Sequence, residues 1–169
     1  GLEDSMSVVR QNRWDVDIDS AVVGRCDSTR EIRPGDIVQC AAEVARHVMG
    51  AAAKMGDGCE SFWLVTMSGD LKLCFPCPEF VCQGIRYPWV IRRRLAFPMF
   101  RASETLKGMG CFIVVGYSPS LAAMAKRLQK VAWSLAGEMR QDFFYCHDVL
   151  ALEQGGKFIS FRESGLYDF

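Results

Sequence analysis

The segment from Gly110 to Tyr117, GCFIVVGY, is apolar along its whole length. A strand that is solvated on one face alternates polar and apolar residues, whereas a strand without polar positions is covered on both faces. We therefore predict a central strand here, with other elements packed on either side of it. Ser118 follows as a helix cap, with Pro119 at the first helical position.

The helix predicted next, over about residues 119–140, has an apolar stripe opposite a basic face. The stripe consists of Leu121, Met124, Leu128, Val131, Ala132, Leu135 and Met139, and the basic residues are Lys126, Arg127, Lys130 and Arg140. Another helix is predicted over about residues 36–55. Asp36 and Gln39 form a capping-box pattern at its start, apolar residues then repeat at helical spacing, and Gly56 ends it.

Three hairpins are predicted from β-rich runs that flank short turns. They join residues 62–67 to 71–75, residues 94–100 to 110–117, and residues 149–153 to 157–162. Between the first two hairpins we predict a loop over residues 76–93, because Pro76 and Pro78 cannot donate to a strand ladder. Residues 14–19 alternate with period two, which predicts an edge strand with an acidic solvated face.

The predicted order is therefore helix, hairpin, loop, hairpin, long helix, hairpin. Antiparallel hairpins with segregated helices make an α+β domain with a mainly antiparallel sheet and helices packed on it. A length of 169 residues suits one such domain. We divide the chain into an N-terminal extension (1–33), a core (34–140) and a C-terminal hairpin extension (141–169).

Over about residues 36–140 this order resembles the GAF domain, a module for small-molecule sensing and dimerisation that is related to PAS domains. The resemblance rests on the capped helix, on FWLVTMSGDLKLCF, on LAFPMF followed by GMGCFIVVGYS, and on the helix after them. The roadblock and longin folds, which serve as subunit scaffolds, have a similar order and are the alternative. They place a helix between the two hairpins, where we predict a proline-broken loop in this chain.

The GAF resemblance implies a ligand pocket between the sheet and the loop of residues 76–93. The candidate ligand contacts that it implies are Phe80, Tyr87, Trp89, Arg92 and Arg94. With Arg93 between them, the last two form a run of three arginines that could hold an anionic ligand such as a cyclic nucleotide. The alternative interpretation is a solvated charge run at the start of a strand.

Residues 74–82, CFPCPEFVC, place three cysteines close together. As metal ligands, Cys74, Cys77 and Cys82 lack a fourth partner unless His147 or Cys146 lies beside them, and they form only one Cys-x₂-Cys pair. A thiol-dependent reductase is a second interpretation, although Arg86 is the one nearby group that could activate a thiol. Buried structural thiols are the interpretation that we favour, so no metal and no cofactor are predicted.

Composition bears on partners and compartment. Lys plus Arg equals Asp plus Glu, with 20 of each, so no global field attracts nucleic acid or an anionic membrane. No apolar run reaches the roughly 18 residues that a membrane span needs. Eight cysteines, several of them in apolar runs, fit reduced thiols in an intracellular compartment. Residues 1–5 fit a vector remnant; the alternative, a targeting peptide that has already been removed, leaves the compartment open.

We therefore expect a non-enzymatic regulatory or binding module that senses a small molecule or mediates protein–protein association, homo-oligomers included. The alternatives are a structural or adaptor subunit of a larger assembly and, third, the thiol-dependent reductase. Two histidines without a nucleophile elbow, Walker loop or dinucleotide fingerprint leave little for conventional enzyme chemistry. We expect the ligand-independent contacts with protein partners on the helix of residues 119–140 and on the tail hairpin, which joins residues 149–153 to 157–162.

Overall fold

The computed structural model describes residues 20–56, 58–84, 88–136 and 143–166 of the chain. Its elements are β1 (Val23–Arg25), α1 (Ala41–Ala52, followed by a 3₁₀ turn at Ala53–Met55), β2 (Ser61–Met67), β3 (Glu79–Gln83), α2 (Pro88–Thr105), β4 (Met109–Ser118), α3 (Leu121–Ala136), β5 (Phe143–Glu153) and β6 (Lys157–Ser160). The strands form one sheet in the order β1-β6-β5-β4-β2-β3. Of the neighbouring pairs, β4–β5 is parallel and the other four are antiparallel, so the predicted α+β class is confirmed.

The two faces of the sheet are buried by different helices. Phe112 and Val114 of β4 pack in the cluster that contains α2 and α3, whereas Ile113 and Val115 pack in the cluster that contains α1. Residues 110–118 of β4 are all buried, as expected for a strand that is covered on both sides. The prediction of a central strand at residues 110–117 is confirmed.

The helix predicted after β4 is confirmed, but α3 begins two residues later than its predicted start. Ser120 caps it, because the Ser120 hydroxyl oxygen accepts a hydrogen bond from the Ala123 N–H at 3.3 Å. Ser118 instead accepts from the Ser120 N–H at 3.1 Å within the preceding turn. The predicted stripe is buried against the sheet at Met124, Leu128, Val131, Ala132 and Leu135, while Met139 lies outside the described residues.

The tail hairpin is also confirmed, and β5 lies in the interior of the sheet. Its parallel pairing with β4 requires a crossover, which α3 supplies. The register passes from Phe112↔Cys146 to Ile113↔Asp148, so His147 is the extra residue of a β-bulge. The segments assigned as extensions thus contribute β1, β5 and β6 to the same sheet as the core.

The predicted start of α1 at Asp36 is wrong, because α1 begins at Ala41 with Cys40 as its N-cap. The Asp36 carboxylate accepts from the Arg33 N–H at 2.8 Å, which stabilises a turn in place of a helix. Ile37 then forms a bridge with Lys72, so backbone pairing replaces helix formation here. Residues 71–75, predicted as a full strand, form isolated bridges instead.

The prediction of a loop over residues 76–93 is wrong both before and after residues 85–87, which the structure does not describe. Glu79–Gln83 forms β3, which pairs with β2 as an edge strand that begins directly after Pro78. From Pro88 onward the chain is helical as far as Thr105. The edge strand predicted at residues 14–19 lies outside the described residues.

The strand predicted at residues 94–100 is wrong, because these residues belong to α2. Ile91, Leu95 and Met99 recur at helical spacing and are buried against the sheet and α3. Pro98 lies inside the helix and lacks the N–H for one backbone bond, a cost that this apolar packing offsets. LAFPMF therefore does not form the strand on which the GAF resemblance partly rested, and the GAF assignment stays a prediction. A helix at this place is what the roadblock- and longin-like alternative expects.

Candidate functional site

A cavity of about 250 Å³ opens beside the edge of β2, next to the loop of residues 74–78. We call it the loop cavity. Its walls come from the middle of α1, the end of β2, the loop and the last turns of α2. The lining residues are His47, Leu64, Val65, Thr66, Leu73, Phe75, Cys77, Pro78, Glu79, Arg101, Ala102 and Thr105.

The loop cavity forms because the side of β2 that faces away from β4 changes its pairing partner along the strand. Leu64 pairs with Glu79 of β3, whereas the Thr66 carbonyl accepts from the Cys74 N–H at 3.1 Å. The residues between these two attachments cannot pair regularly, since Pro76 and Pro78 have no N–H to donate. The loop consequently stands away from the strand and leaves space behind it.

The polar groups of the loop cavity carry little net charge. Glu79 and Arg101 form an ion pair, and the Arg101 guanidinium also lies 4.9 Å from the centre of the Phe97 ring. Burial lowers the pKa of His47, so its imidazole is neutral at pH 7. Among the described residues nothing hydrogen-bonds to the buried Nε2 of His47. The cavity thus combines apolar walls with an unused polar atom on one of its lining residues.

The cysteines of CFPCPEFVC have different environments. Burial raises the pKa of Cys82 to about 11, with Arg94 opposing the shift, and burial followed by the nearby Asp70 raises the pKa of Cys74. Both are therefore protonated thiols at neutral pH, which are weak nucleophiles. Cys77 differs from them, because it is exposed and lines the loop cavity.

The structure does not gather the candidate metal ligands. Cys82 packs in the cluster that contains α2 and α3, whereas the bulge residue His147 lines a separate cavity at the start of α1. Within the described ranges, no three His, Cys, Asp or Glu side chains lie close enough together to hold a metal ion.

The predicted ligand contacts are placed apart from the loop cavity. Phe80 lies on β3 and packs edge-on against Trp63, with ring centroids 5.4 Å apart. Arg92, Arg93 and Arg94 are exposed on α2 and are not among the residues that line the loop cavity. This placement fits the solvated charge run, although on a helix and not at the start of a strand. Tyr87 and the side chain of Trp89 lie outside what the structure describes.

Sequence reasoning missed the residues that do line the loop cavity, above all His47, Thr66 and Arg101. Arg101 lies there because α2 is a helix, and the spacing of Ile91, Leu95 and Met99 was the signal that could have revealed that helix. No protein-family model matches the chain, and no curated protein matches its sequence. In the described ranges, none of the helices has the length and apolar character needed to cross a bilayer.

Proposed function

We propose that the chain is a non-enzymatic binding module whose loop cavity holds a small, uncharged ring compound. The size of the cavity supports a small ligand, because about 250 Å³ lies just below the roughly 300–1,000 Å³ typical of sites for drug-sized molecules. Its walls are mostly apolar, and the charges of Glu79 and Arg101 compensate each other. A charged ligand would therefore gain little from this site.

The observation that carries the proposal is the Nε2 of His47, to which no described residue forms a hydrogen bond. A buried polar atom without a hydrogen bond costs about 1–3 kcal/mol. A ligand whose polar group reaches Nε2 would make this hydrogen bond and be fixed in orientation. Because His47 is neutral at pH 7, either a donor or an acceptor on the ligand can serve, depending on the tautomer.

Indole and benzamide are suitable probes, since each combines an uncharged ring with a hydrogen-bonding group. We expect saturation-transfer NMR to give dissociation constants of about 0.1–1 mM for ligands of this size. Thr105→Trp places a large side chain in the wall of the cavity and should abolish binding. The matched control is Glu104→Trp, on the neighbouring exposed position of α2 that does not line the cavity.

Cys77 reports on the same site by a second method. Bound indole should slow the alkylation of Cys77 by iodoacetamide and leave the alkylation of Cys40, which is exposed outside this cavity, unchanged. Equal binding to both tryptophan variants would contradict the proposal. So would failure of both probes to bind, combined with a native mass spectrum that contains no copurified small molecule. Cyclic AMP should not bind, because the three arginines lie outside the cavity.

Protein association is the second candidate function, and a different surface favours it. Phe97 and Phe100 of α2 are 66% and 52% exposed, and large exposed apolar side chains mark protein contact sites. If they form a homodimer contact, Phe97→Ser with Phe100→Ser should convert dimer to monomer in sedimentation velocity. Ile37→Ser, an exposed position outside α2, should have no effect. A wild-type chain that remains monomeric at high concentration would exclude this homodimer.

A further inference from the structure

The charged residues of the chain are unevenly distributed over the fold. Residues 88–136, which form α2, β4 and α3, contain eight basic residues and one acidic residue, Glu104. The other described residues contain eight basic and ten acidic residues. The equal totals of the whole chain therefore conceal a strongly basic region. Because β4 has no charged side chain, this charge lies on α2, on α3 and on the turn between α2 and β4.

The helices α2 and α3 lie side by side on one face of the sheet. Their buried residues belong to one hydrophobic cluster, and the two helices contact each other. Short turns join α2 to β4 and β4 to α3, so both helices run antiparallel to β4 and begin at the same end of the sheet. We call the solvent-facing side of the two helices the basic face. Four cations lie in the first three turns of these helices, namely Arg93 and Arg94 of α2 and Lys126 and Lys130 of α3.

These four cations are accessible to a partner. All four are exposed, and none of them forms an ion pair with another residue in the described part of the chain. Arg101 differs from them, because it pairs with Glu79. Arg127 likewise pairs with Glu60. The basic face thus keeps a net positive charge after its ion pairs are taken into account, and such a surface attracts polyanions.

Two aromatic side chains lie among these charges. Phe97 and Phe100 of α2 are both exposed. Phe97 follows Arg93 by one helical turn and therefore shares its side of the helix. The Arg101 guanidinium lies 4.9 Å from the centre of the Phe97 ring, so a cation stands directly beside one of the two rings. Proteins that bind single-stranded nucleic acid combine cations for the phosphates with aromatic rings on which unpaired bases stack.

The packing of α2 favours a nucleic acid over a membrane surface as the partner. A helix that binds at a membrane interface buries its apolar face in the lipid. The apolar face of α2 is already occupied, because Ile91, Leu95 and Met99 are buried against the sheet and α3. Among the side chains of α2 that the structure describes, Phe97 and Phe100 are the large apolar ones that remain exposed. Two rings suffice to stack two bases, whereas they provide little area for insertion into lipid.

We propose that the basic face binds single-stranded nucleic acid without sequence preference. The four cations contact about four phosphates, one for each cation, and Phe97 and Phe100 stack unpaired bases. Arginine suits this role because its planar guanidinium donates two parallel hydrogen bonds to a phosphate. None of these six residues lines the loop cavity, so the binding is independent of the proposed small-molecule site.

Fluorescence anisotropy of the full chain with a labelled strand of 20 thymidines measures this binding. We expect a dissociation constant of about 1 µM at 20 mM salt, and four phosphate contacts predict a slope of about −2.8 in log affinity against log salt. Affinity should therefore fall about 50-fold between 20 and 80 mM salt. Failure of the strand to bind at 20 mM salt, or an affinity that does not depend on salt, would overturn the proposal.

Charge variants test whether the two helices act as one surface. Arg93→Gln with Lys126→Gln removes one cation from each helix and should reduce the slope to about −1.4. The matched control is Arg25→Gln with Lys157→Gln, which removes two exposed cations from the paired strands β1 and β6. This control should keep the wild-type slope. Equal slopes for the two double variants would contradict the assignment of the basic face.

Stacking is tested separately from charge. Phe97→Ala with Phe100→Ala should lower the affinity at least about tenfold while the salt slope stays the same. Phe143→Ala, at an exposed position at the start of β5, should have no effect. A duplex of 20 base pairs should bind more weakly than the single strand, because its bases are already stacked. Equal or tighter binding of the duplex, or binding to phosphatidylserine vesicles in place of the strand, would overturn the proposal.

Discussion

Asp148 of β5 accepts a hydrogen bond from the hydroxyl group of Ser160 at the end of β6, and both residues are buried. The second carboxylate oxygen accepts from the Val149 and Arg162 N–H groups at 2.7 and 2.9 Å. Burial outweighs these hydrogen bonds and raises the pKa of Asp148 to about 6. The protein therefore contains an interior carboxyl group that titrates just below neutral pH.

This shift predicts a specific pH dependence of stability. The folded-state pKa of about 6 lies above the ordinary value of 3.8, so the stability from protonated Asp148 is fully present below about pH 4 and is lost as pH rises through 6. Two pH units correspond to about 3 kcal/mol. Asp148→Asn removes the titration, so its free energy of unfolding relative to wild type should rise by about that amount from pH 4 to 7. Urea unfolding of both proteins checks this, and a constant difference would contradict it.

Gly116 of β4 lies directly beneath α3, where a Cβ atom would stand 2.3 Å from the Met124 sulfur. Gly116→Ala should therefore lower the free energy of unfolding by about 1–3 kcal/mol through overpacking. Gly50 is the matched control, because it lies in α1 and a Cβ there meets no atom within 4 Å. Gly50→Ala should raise the free energy of unfolding by about 0.5–1 kcal/mol. Opposite signs in denaturant unfolding are the expected result.

The buried carboxylate of Glu43 is stabilised by a partner, Arg30, whose own side chain is exposed. Its carboxylate accepts from the Gln39 N–H at 2.6 Å and pairs with Arg30. Although burial acts to raise it, the Arg30 and Gln39 hydrogen bonds hold the pKa of Glu43 below its usual value. We expect Arg30→Met to cost about 1.5–3 kcal/mol at pH 7. This loss should shrink as pH falls below about 4.5, because the stability that the ionised carboxylate contributes is lost as the group is protonated.

The control for this pair is Arg25→Met. Arg25 pairs with Asp27, and both side chains are more than half exposed. Pairs of this kind contribute at most about 1 kcal/mol. Chemical unfolding at pH 7 should therefore rank Arg30→Met well below Arg25→Met in stability. Similar losses for the two variants would mean that burial of Glu43 does not strengthen its ion pair.

Substitutions at two phenylalanines, one buried and one exposed, test where the hydrophobic core lies. The Phe112 ring is fully buried and packs against Phe144, with ring centroids 5.2 Å apart. We expect Phe112→Ala to cost about 3–5 kcal/mol. Phe143, one residue before Phe144, is 72% exposed, so Phe143→Ala should change the free energy of unfolding by less than about 0.5 kcal/mol. Thermal unfolding of the two variants measures the contrast.

The parts of the fold that were predicted correctly have strong local patterns. The uninterrupted apolar run of β4 and the stripe of α3 each permit one interpretation, and Gln154–Gly156 marks the tail turn. Asp36 misled the prediction of α1, because aspartate caps turns as well as helices. Pro98 misled the prediction of α2, because proline disfavours a helix interior unless tertiary packing compensates.

The residues of the candidate site were harder to predict from the sequence than the fold was. The loop cavity joins His47 of α1 to Thr66 of β2 and Arg101 of α2, three segments with no common local pattern. The three adjacent arginines were predicted as a possible site for an anionic ligand because of their charge, yet all three are exposed on α2.

Among the described residues, the edge strand β1 pairs only with β6, which is made late in synthesis. Val23 pairs with Ile159, 136 residues further along (159 − 23). At roughly 5–20 residues per second, a ribosome needs roughly 7–27 s between the two. During that interval β2, β4 and α1 can already assemble, while β1 has no β6 to join. On the ribosome, β1 therefore cannot join the sheet until β6 has been made, and until then its backbone lacks this strand partner.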